Sequence, residues 1–381
     1  MTRISRIETF VVPPRWLFVR IETDDGCVGW GEASLEGSPQ PVRAVIQQWS
    51  EHLLTQDSSR IEDIGYWMNT NTFYRGGPVF ASAAAGIDQA LWDIAGKQLG
   101  VPVHRLLGGA VRDRVQVYAW VGGDRPSEIA DQIHERLATG LTAVKMNASG
   151  SMSPIARPAD IDDVVERAET ARHCVGQSGH FAIDFHGRVA YPSAKRLAAA
   201  LEPFAPMFLE EVLLPEHDIQ LARVIDSTSI PVATGERLYN RHDFVASLNA
   251  GIAVAQPDLS HARGITEVRK IASLAETYGA YIAPHCPLGP IALASCLQIG
   301  FATSNHLIQE HSIGIHYNTT ADLLDYVVDA SPFDFSDGHI ELLQGPGLGV
   351  TIDEREVRRV DGSAAWYSPT WRLSNGALAE W

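Results

Sequence analysis

Asp184 in FAIDFHG, Glu210 in MFLEE and Glu236 in PVATGE end three apolar runs and follow one another at intervals of 26 residues. A single acid in such a place is ordinarily a helix cap or a salt-bridge partner. Three in succession read differently, because converging carboxylates raise one another's pKa unless a cation lies among them. Their oxygens, completed by water and a substrate, make the hard six-coordinate set that suits Mg2+. One divalent cation held by Asp184, Glu210 and Glu236 is therefore the first expectation.

Proton chemistry comes from two histidines and a fourth acid. His186 lies two residues beyond Asp184, which in an extended strand places both on one face. Asp258 ends VAQPD and His285 ends the next run, YIAPH. Neighbouring parallel strands lie about 4.8 Å apart, so those ends can touch. A carboxylate on one ring nitrogen then makes the imidazole a general base. His186 and His285 belong to the third and seventh of eight runs and would face each other across a barrel mouth. One basic and one acidic imidazole suit removal of a proton with loss of a hydroxyl.

Lys145 and Asn147 close AVKMN. Lys145 reads equally as a contact for a substrate carboxylate or as a solvated rim lysine. Glu310, in LIQEH, is placed to bond an oxyanion, to position a hydroxyl or to form a rim salt bridge. A zinc site at His285-Cys286 or His173-Cys174 lacks any CxxC or HExxH pattern. A nucleophile elbow of the GxSxG type is also missing.

The runs that position these residues are VQVYAWV, AVKMN, FAIDFHG, MFLEE, VATGE, VAQPD, YIAPH and LIQEH. Amphipathic stretches such as GITEVRKIASLAETYGA separate them, and eight βα repeats predict a TIM-like (β/α)8 barrel. Before the barrel, strand-like segments surround Asp25-Gly26, a hairpin signal, and helical patterns follow near 40–55, 60–70 and 80–99. The expected organisation is α/β: an α+β capping domain at 1–112, the barrel at 113–335, and a segment at 336–381 that packs back on the cap. The Ser/Pro-rich stretch 148–160 is expected to form a loop over the mouth.

With 381 residues, 45% of them hydrophobic, the chain is long enough for one large barrel plus a smaller unit. A formal charge of −16 argues against nucleic acid or an anionic membrane as partner. No run of eighteen apolar residues suggests a membrane span. The four cysteines show no pairing pattern and MTRISRIETFVVPPRW has no signal-peptide core, so a cytoplasmic protein with free thiols is expected.

The strings DFHGRV, FLEE, ATGER, QPDLSHA, GITE, APHCPLGPIALA, QEHSIGIHYN and PGLGV occur in order. With them the chain closely resembles the enolase superfamily, mandelate racemase subgroup, along essentially its whole length. Within that subgroup it is most similar to members that dehydrate D-galactonate. The resemblance implies Mg2+, one per active site, on Asp184, Glu210 and Glu236, chelated by the substrate carboxylate and stabilising an enediolate. It implies that His285 with Asp258 removes the C2 proton and that His186 protonates the departing 3-hydroxyl. Glu310 would bond the carboxylate end, with Lys145, Asn147, His186 and His285 as further substrate contacts. A small acid sugar as partner and a homo-oligomer follow from the same resemblance.

An epimerase, a dehydratase of gluconate, a pentonate or a deoxy-aldonate, and a metal-binding relative without turnover are the alternatives. Racemases of the subgroup carry a second lysine where this chain has Asn147, which favours elimination. Two departures concern the surroundings. Glu210-Glu211-Val212 stands where relatives read EEP, and the loop Leu35–Gln40 lacks the arginine expected of galactonate-dehydrating members.

Overall fold

A computed structural model describes residues 2–122, 126–150, 152–315, 318, 320–364, 366–368 and 370–380. The chain begins with an antiparallel meander of β1 (Ile4–Val12), β2 (Trp16–Thr23) and β3 (Val28–Glu32). Its second turn is the expected one at Asp25-Gly26, with Gly26 at φ +82°. Three helices follow, α1 (Pro39–Leu53), α2 (Ile61–Thr70) and α3 (Pro78–Leu99). The Ala-rich sequence of α3 lets it lie directly on the meander, so close that a side chain at Gly31 would overlap the Gly86 carbonyl. A short α4 (Val103–Leu106) leads out of this capping unit.

The barrel then alternates strand and helix: β4 (Arg114–Val121), α5 (Pro126–Ala138), β5 (Ala143–Asn147), α6 (Pro158–Val175), β6 (His180–Asp184), α7 (Tyr191–Leu201) and β7 (Leu209–Glu210). It continues through α8 (Leu221–Ile225), β8 (Val232–Thr234), α9 (Arg241–Ala250), β9 (Val254–Ala255), α10 (Ile265–Thr277), β10 (Tyr281–Ile282), α11 (Pro290–Ala302) and β11 (Gln309–His311). Strands β4 to β10 pair in parallel in chain order, and β11 returns to pair with β4. Between β10 and β11 the ring is completed by a parallel bridge, with Ile282 N donating to Asn305 O and Leu307 N to Ile282 O, each at 2.8 Å. Tyr118, Ala143, Ala182, Phe208, Ala233, Val254, Ala283 and Ile308, one from each repeat, pack together as the floor inside the ring.

Several strands are shorter than their apolar runs. The ladders of β9 and β10 stop before Pro257 and Pro284, which have no N–H to offer. Asp258 and His285 therefore stand on the turns just beyond the strands. His186 also lies past its strand, in the left-handed region at φ +50°, so strand alternation does not set its direction.

The C-terminal part adds β12 (Phe335–Ser336), β13 (His339–Glu341) and α12 (Glu354–Val360). β13 pairs antiparallel with the start of β4, while after α12 the Asp361 carboxylate accepts from Val11 N of β1 at 2.8 Å. Cap and barrel are joined by buried polar bonds. Glu32, at the end of β3, accepts from Gly289 N at 2.8 Å and Ala292 N at 3.0 Å, capping the N-terminus of α11. Asp88 of α3 does the same for Thr266 N of α10 at 3.0 Å.

Candidate active site

Five strand ends meet in a buried charged cluster. Lys145 on β5 is 1% exposed, and its ammonium lies 2.5 Å from Glu210 Oε1, 3.0 Å from Glu310 Oε1 and 3.7 Å from Asp184 Oδ2. Burial pushes this lysine down, yet Glu210 and Glu310 hold it well above its ordinary range. The solvated reading of Lys145 is thus overturned, because the cluster needs its charge inside. Glu310 is equally committed, its Oε2 accepting from Cys286 N at 2.9 Å.

Asp184, Glu210 and Glu236 each keep one buried oxygen without a hydrogen-bond partner: Asp184 Oδ2, Glu210 Oε2 and Glu236 Oε2. Three orphaned carboxylate oxygens are costly unless a cation completes them, so this donor set fits a hard divalent ion. Ligand atoms of Asp184, His186 and Glu236 lie within 4.8 Å of one another. Glu211 braces the third acid, accepting from Thr234 Oγ1 and from Gly235 N in the turn that carries Glu236. Val212 is buried in the hydrophobic core, so the departure from EEP leaves Glu210 on its strand.

His186 Nε2 stands 2.9 Å from Asp184 Oδ2 without the alignment of a hydrogen bond. Its ring stacks on Trp120 with centroids 5.7 Å apart, and Arg188 Nη2 meets its Nδ1 at 2.7 Å. A guanidinium can only donate, so Nδ1 accepts and Nε2 carries the hydrogen. Across the mouth, His285 Nδ1 lies 2.8 Å from Asp258 Oδ2 and its Nε2 lies 3.5 Å from Glu236 Oε2. Burial would lower this imidazole, but Glu236 and Asp258 raise it well above its usual value. Asn147 Oδ1 is buried and unpartnered at the end of β5, in register with Asp184.

Several residues in contact with this cluster were not singled out from sequence. They include Trp120, Arg188, Arg15, Glu36 and His261. His261 could have been found from its spacing three residues after Asp258, since the Asp258 carboxylate bonds the backbone N–H groups of Ser260 and His261 in one tight turn. Arg15 comes from the turn between β1 and β2, and its Nε lies 3.7 Å from Glu36 of the loop at 35–40. The C-terminal tail also reaches the mouth. The Arg15 guanidinium lies 5.8 Å from the Trp366 ring and that of Arg188 lies 4.6 Å from the Trp371 ring.

A ring of parallel strands with acids and imidazoles gathered at its C-terminal ends, roofed by an α+β unit, defines a barrel of the enolase type. Residues 128–357 match the enolase C-terminal domain-like family, and residues 8–108 match the mandelate racemase / muconate lactonizing enzyme N-terminal domain. The chain belongs to the mandelate racemase / muconate lactonizing enzyme family of the enolase superfamily. It is 49% identical to the D-galactonate dehydratase of Pectobacterium atrosepticum and 48% identical to that of Variovorax paradoxus, in both cases over 100% of each chain. An enolase structure from Agrobacterium radiobacter with bound sodium and L-malate superimposes with a TM-score of 0.92 at 32% identity, over 99% of this chain and 100% of that one.

Proposed function

We propose that this chain is a Mg2+-assisted hydro-lyase that converts D-galactonate to its 2-keto-3-deoxy acid. The placement of Glu236 carries the reading. It lies 3.5 Å from His285 on one side and groups with Asp184 and His186 on the other, so two imidazoles flank one set of cation-seeking oxygens. The full-length likeness to dehydratases of D-galactonate supports the choice of sugar.

Asp184, Glu210 and Glu236 would hold Mg2+, which would supply positive charge to the substrate carboxylate and to the charge that builds there. With the charge of Glu236 committed to the cation, the carboxylate that most raises His285 is offset, and His285, with Asp258 on Nδ1, takes the C2 proton through Nε2. His186, on the opposite side of the acids, serves the 3-hydroxyl, which leaves as water. The C2–H and C3–O bonds break, a C2=C3 bond forms, and the resulting enol tautomerises to the 2-keto acid. Lys145 and Glu310, already bonded to each other, set the charge beneath the substrate carboxylate, and the unpartnered Asn147 Oδ1 offers an acceptor to a hydroxyl. An epimerase needs a second base on the β5 side, where Lys145 is held by Glu210 and Glu310 and Asn147 has no basic group.

The capping domain comprises 1–112, the barrel 113–335 and the returning segment 336–381. The pairing of Asp361 with β1 supports that return. Tyr66, Phe73 and Tyr74 of the cap are 71%, 90% and 84% exposed, which supports assembly of a homo-oligomer through this domain. The four cysteines are unpaired, in keeping with a cytoplasmic protein, and no helix among the described residues is long and apolar enough to cross a membrane.

A panel of aldonates with Mg2+, read as 2-keto acid formation, tests the assignment. D-galactonate is expected to be the best substrate by kcat/KM. Turnover of another aldonate alone would overturn the choice of sugar, and turnover of none would overturn the reaction.

A further inference from the structure

The base dyad has a third member that reaches it from the capping domain. Asp258 Oδ2, which holds His285 Nδ1 at 2.8 Å, also faces His261 Nδ1 at 3.7 Å. The two rings are 6.2 Å apart, and His261 is 7% exposed. On its far side, His261 Nε2 lies 3.4 Å from Glu36 Oε2 of the loop between β3 and α1. Arg15 in turn braces Glu36 at 3.7 Å while donating to Pro287 O at 2.7 Å, two residues past His285.

An imidazole between two carboxylates is set by both. Burial pushes His261 down, but Asp258 and Glu36 carry it up to about 9. Burial likewise raises Glu36, yet His261 and Arg15 hold it down to about 2. Glu36 and His261 therefore face each other as an ion pair at neutral pH. Without Glu36, the cation of His261 would turn wholly on Asp258 and compete with His285 for the same oxygen. With Glu36 in place, His261 is balanced and Asp258 remains directed at His285.

We propose that His261 is a positioning residue through which Glu36 of the capping loop holds the Asp258–His285 pair in its proton-abstracting geometry. The inference rests on His285 being the base of the proposed dehydration. It couples the seating of the capping loop to proton removal at C2. Glu36 and His261 act through Asp258, and neither is required to touch the sugar.

The test uses the full-length Mg2+-loaded protein with D-galactonate. Glu36→Gln keeps the shape but removes the charge, and His261→Asn removes the ring. Each is expected to lower kcat and the rate of C2-proton exchange in D2O together, on the order of 10- to 100-fold, with KM unchanged. The double variant should lose no more than the worse single one, because the two residues form one unit. The low-field NMR signal of the His285 Nδ1–H, read without turnover, should move or broaden in Glu36→Gln even if His261→Asn fails to fold. A rise in KM with unchanged exchange, additive losses, or an unmoved Nδ1–H signal would overturn the inference while leaving the dehydratase assignment intact. A wild-type protein inactive on the whole aldonate panel would overturn both.

Discussion

Lys145 Nζ lies 2.5 Å from Glu210 Oε1, both residues fully buried beneath the barrel mouth. This lysine supplies one positive charge among Asp184, Glu210 and Glu310, with Glu236 close by. Breaking a buried pair by deleting one partner costs about 3 to 5 kcal/mol, because the other charge is left stranded. Lys145→Met should therefore melt well below wild type in EDTA. A divalent ion held by the folded state alone would add back positive charge, so Mg2+ should raise the Tm of the variant more than that of wild type. Melting curves with and without Mg2+ check this, and equal Mg2+ shifts in both proteins would refute it.

The roles proposed for the opposed imidazoles are separable by experiment. His285→Asn should abolish dehydration and C2-proton exchange in D2O, each by on the order of a hundred- to ten-thousand-fold. His186→Asn should stop dehydration to a similar degree while exchange survives, because the proposed deprotonation at C2 uses His285 and Asp258 on the other side. Proton NMR of D-galactonate recovered from D2O separates the two outcomes. Full exchange in His285→Asn would show that the base lies elsewhere.

The order of these residues along the chain was legible because a barrel repeats. Asp184, Glu210 and Glu236 recur at one helix-and-turn interval, and Asp258 and His285 end adjacent runs. What repetition could not convey was direction and burial. Lys145 looks like a rim residue in AVKMN, and only the closed ring shows its ammonium enclosed by acids from β6, β7 and β11. Strand alternation placed His186 beside Asp184, whereas the structure does so through a left-handed turn at φ +50°. Glu36 and His261 meet across 225 residues of chain, a contact that no local pattern encodes.

Asp88 ties the pH dependence of stability to the join between cap and barrel. Burial raises its carboxyl from 3.8 to about 7, although it accepts from Thr266. The unfolded chain gives up this proton near 3.8 and the folded chain near 7, so the folded state binds more protons between those values. The contribution of Asp88 to stability is therefore greatest in acid and falls as pH rises through that window. Asp88→Asn stays neutral and keeps an acceptor for Thr266 N. Urea titrations should find the variant gaining on wild type as pH rises from about 4 to about 7. A stability difference that is flat with pH would rule this out.

Trp371 extends the same reasoning to the C-terminal tail. Its ring lies 4.6 Å from the Arg188 guanidinium, and Arg188 Nη2 lies 2.7 Å from His186 Nδ1. The tail thus restrains the arginine that fixes the His186 tautomer with its hydrogen on Nε2. A cation–π contact of this kind contributes about 0.5 to 2 kcal/mol, equivalent to roughly 2- to 30-fold in rate if expressed wholly in the step that uses His186. Trp371→Ala should lower kcat for dehydration within that range. Exchange of the C2 proton should stay at the wild-type rate, since that step is assigned to His285 and Asp258, whereas Arg188 bonds His186. Trp371→Phe keeps an aromatic face for Arg188 and should restore most of the loss. Equal losses in dehydration and exchange would instead mean that the tail acts on the whole mouth, and failure of Phe to rescue would remove Arg188 from the explanation.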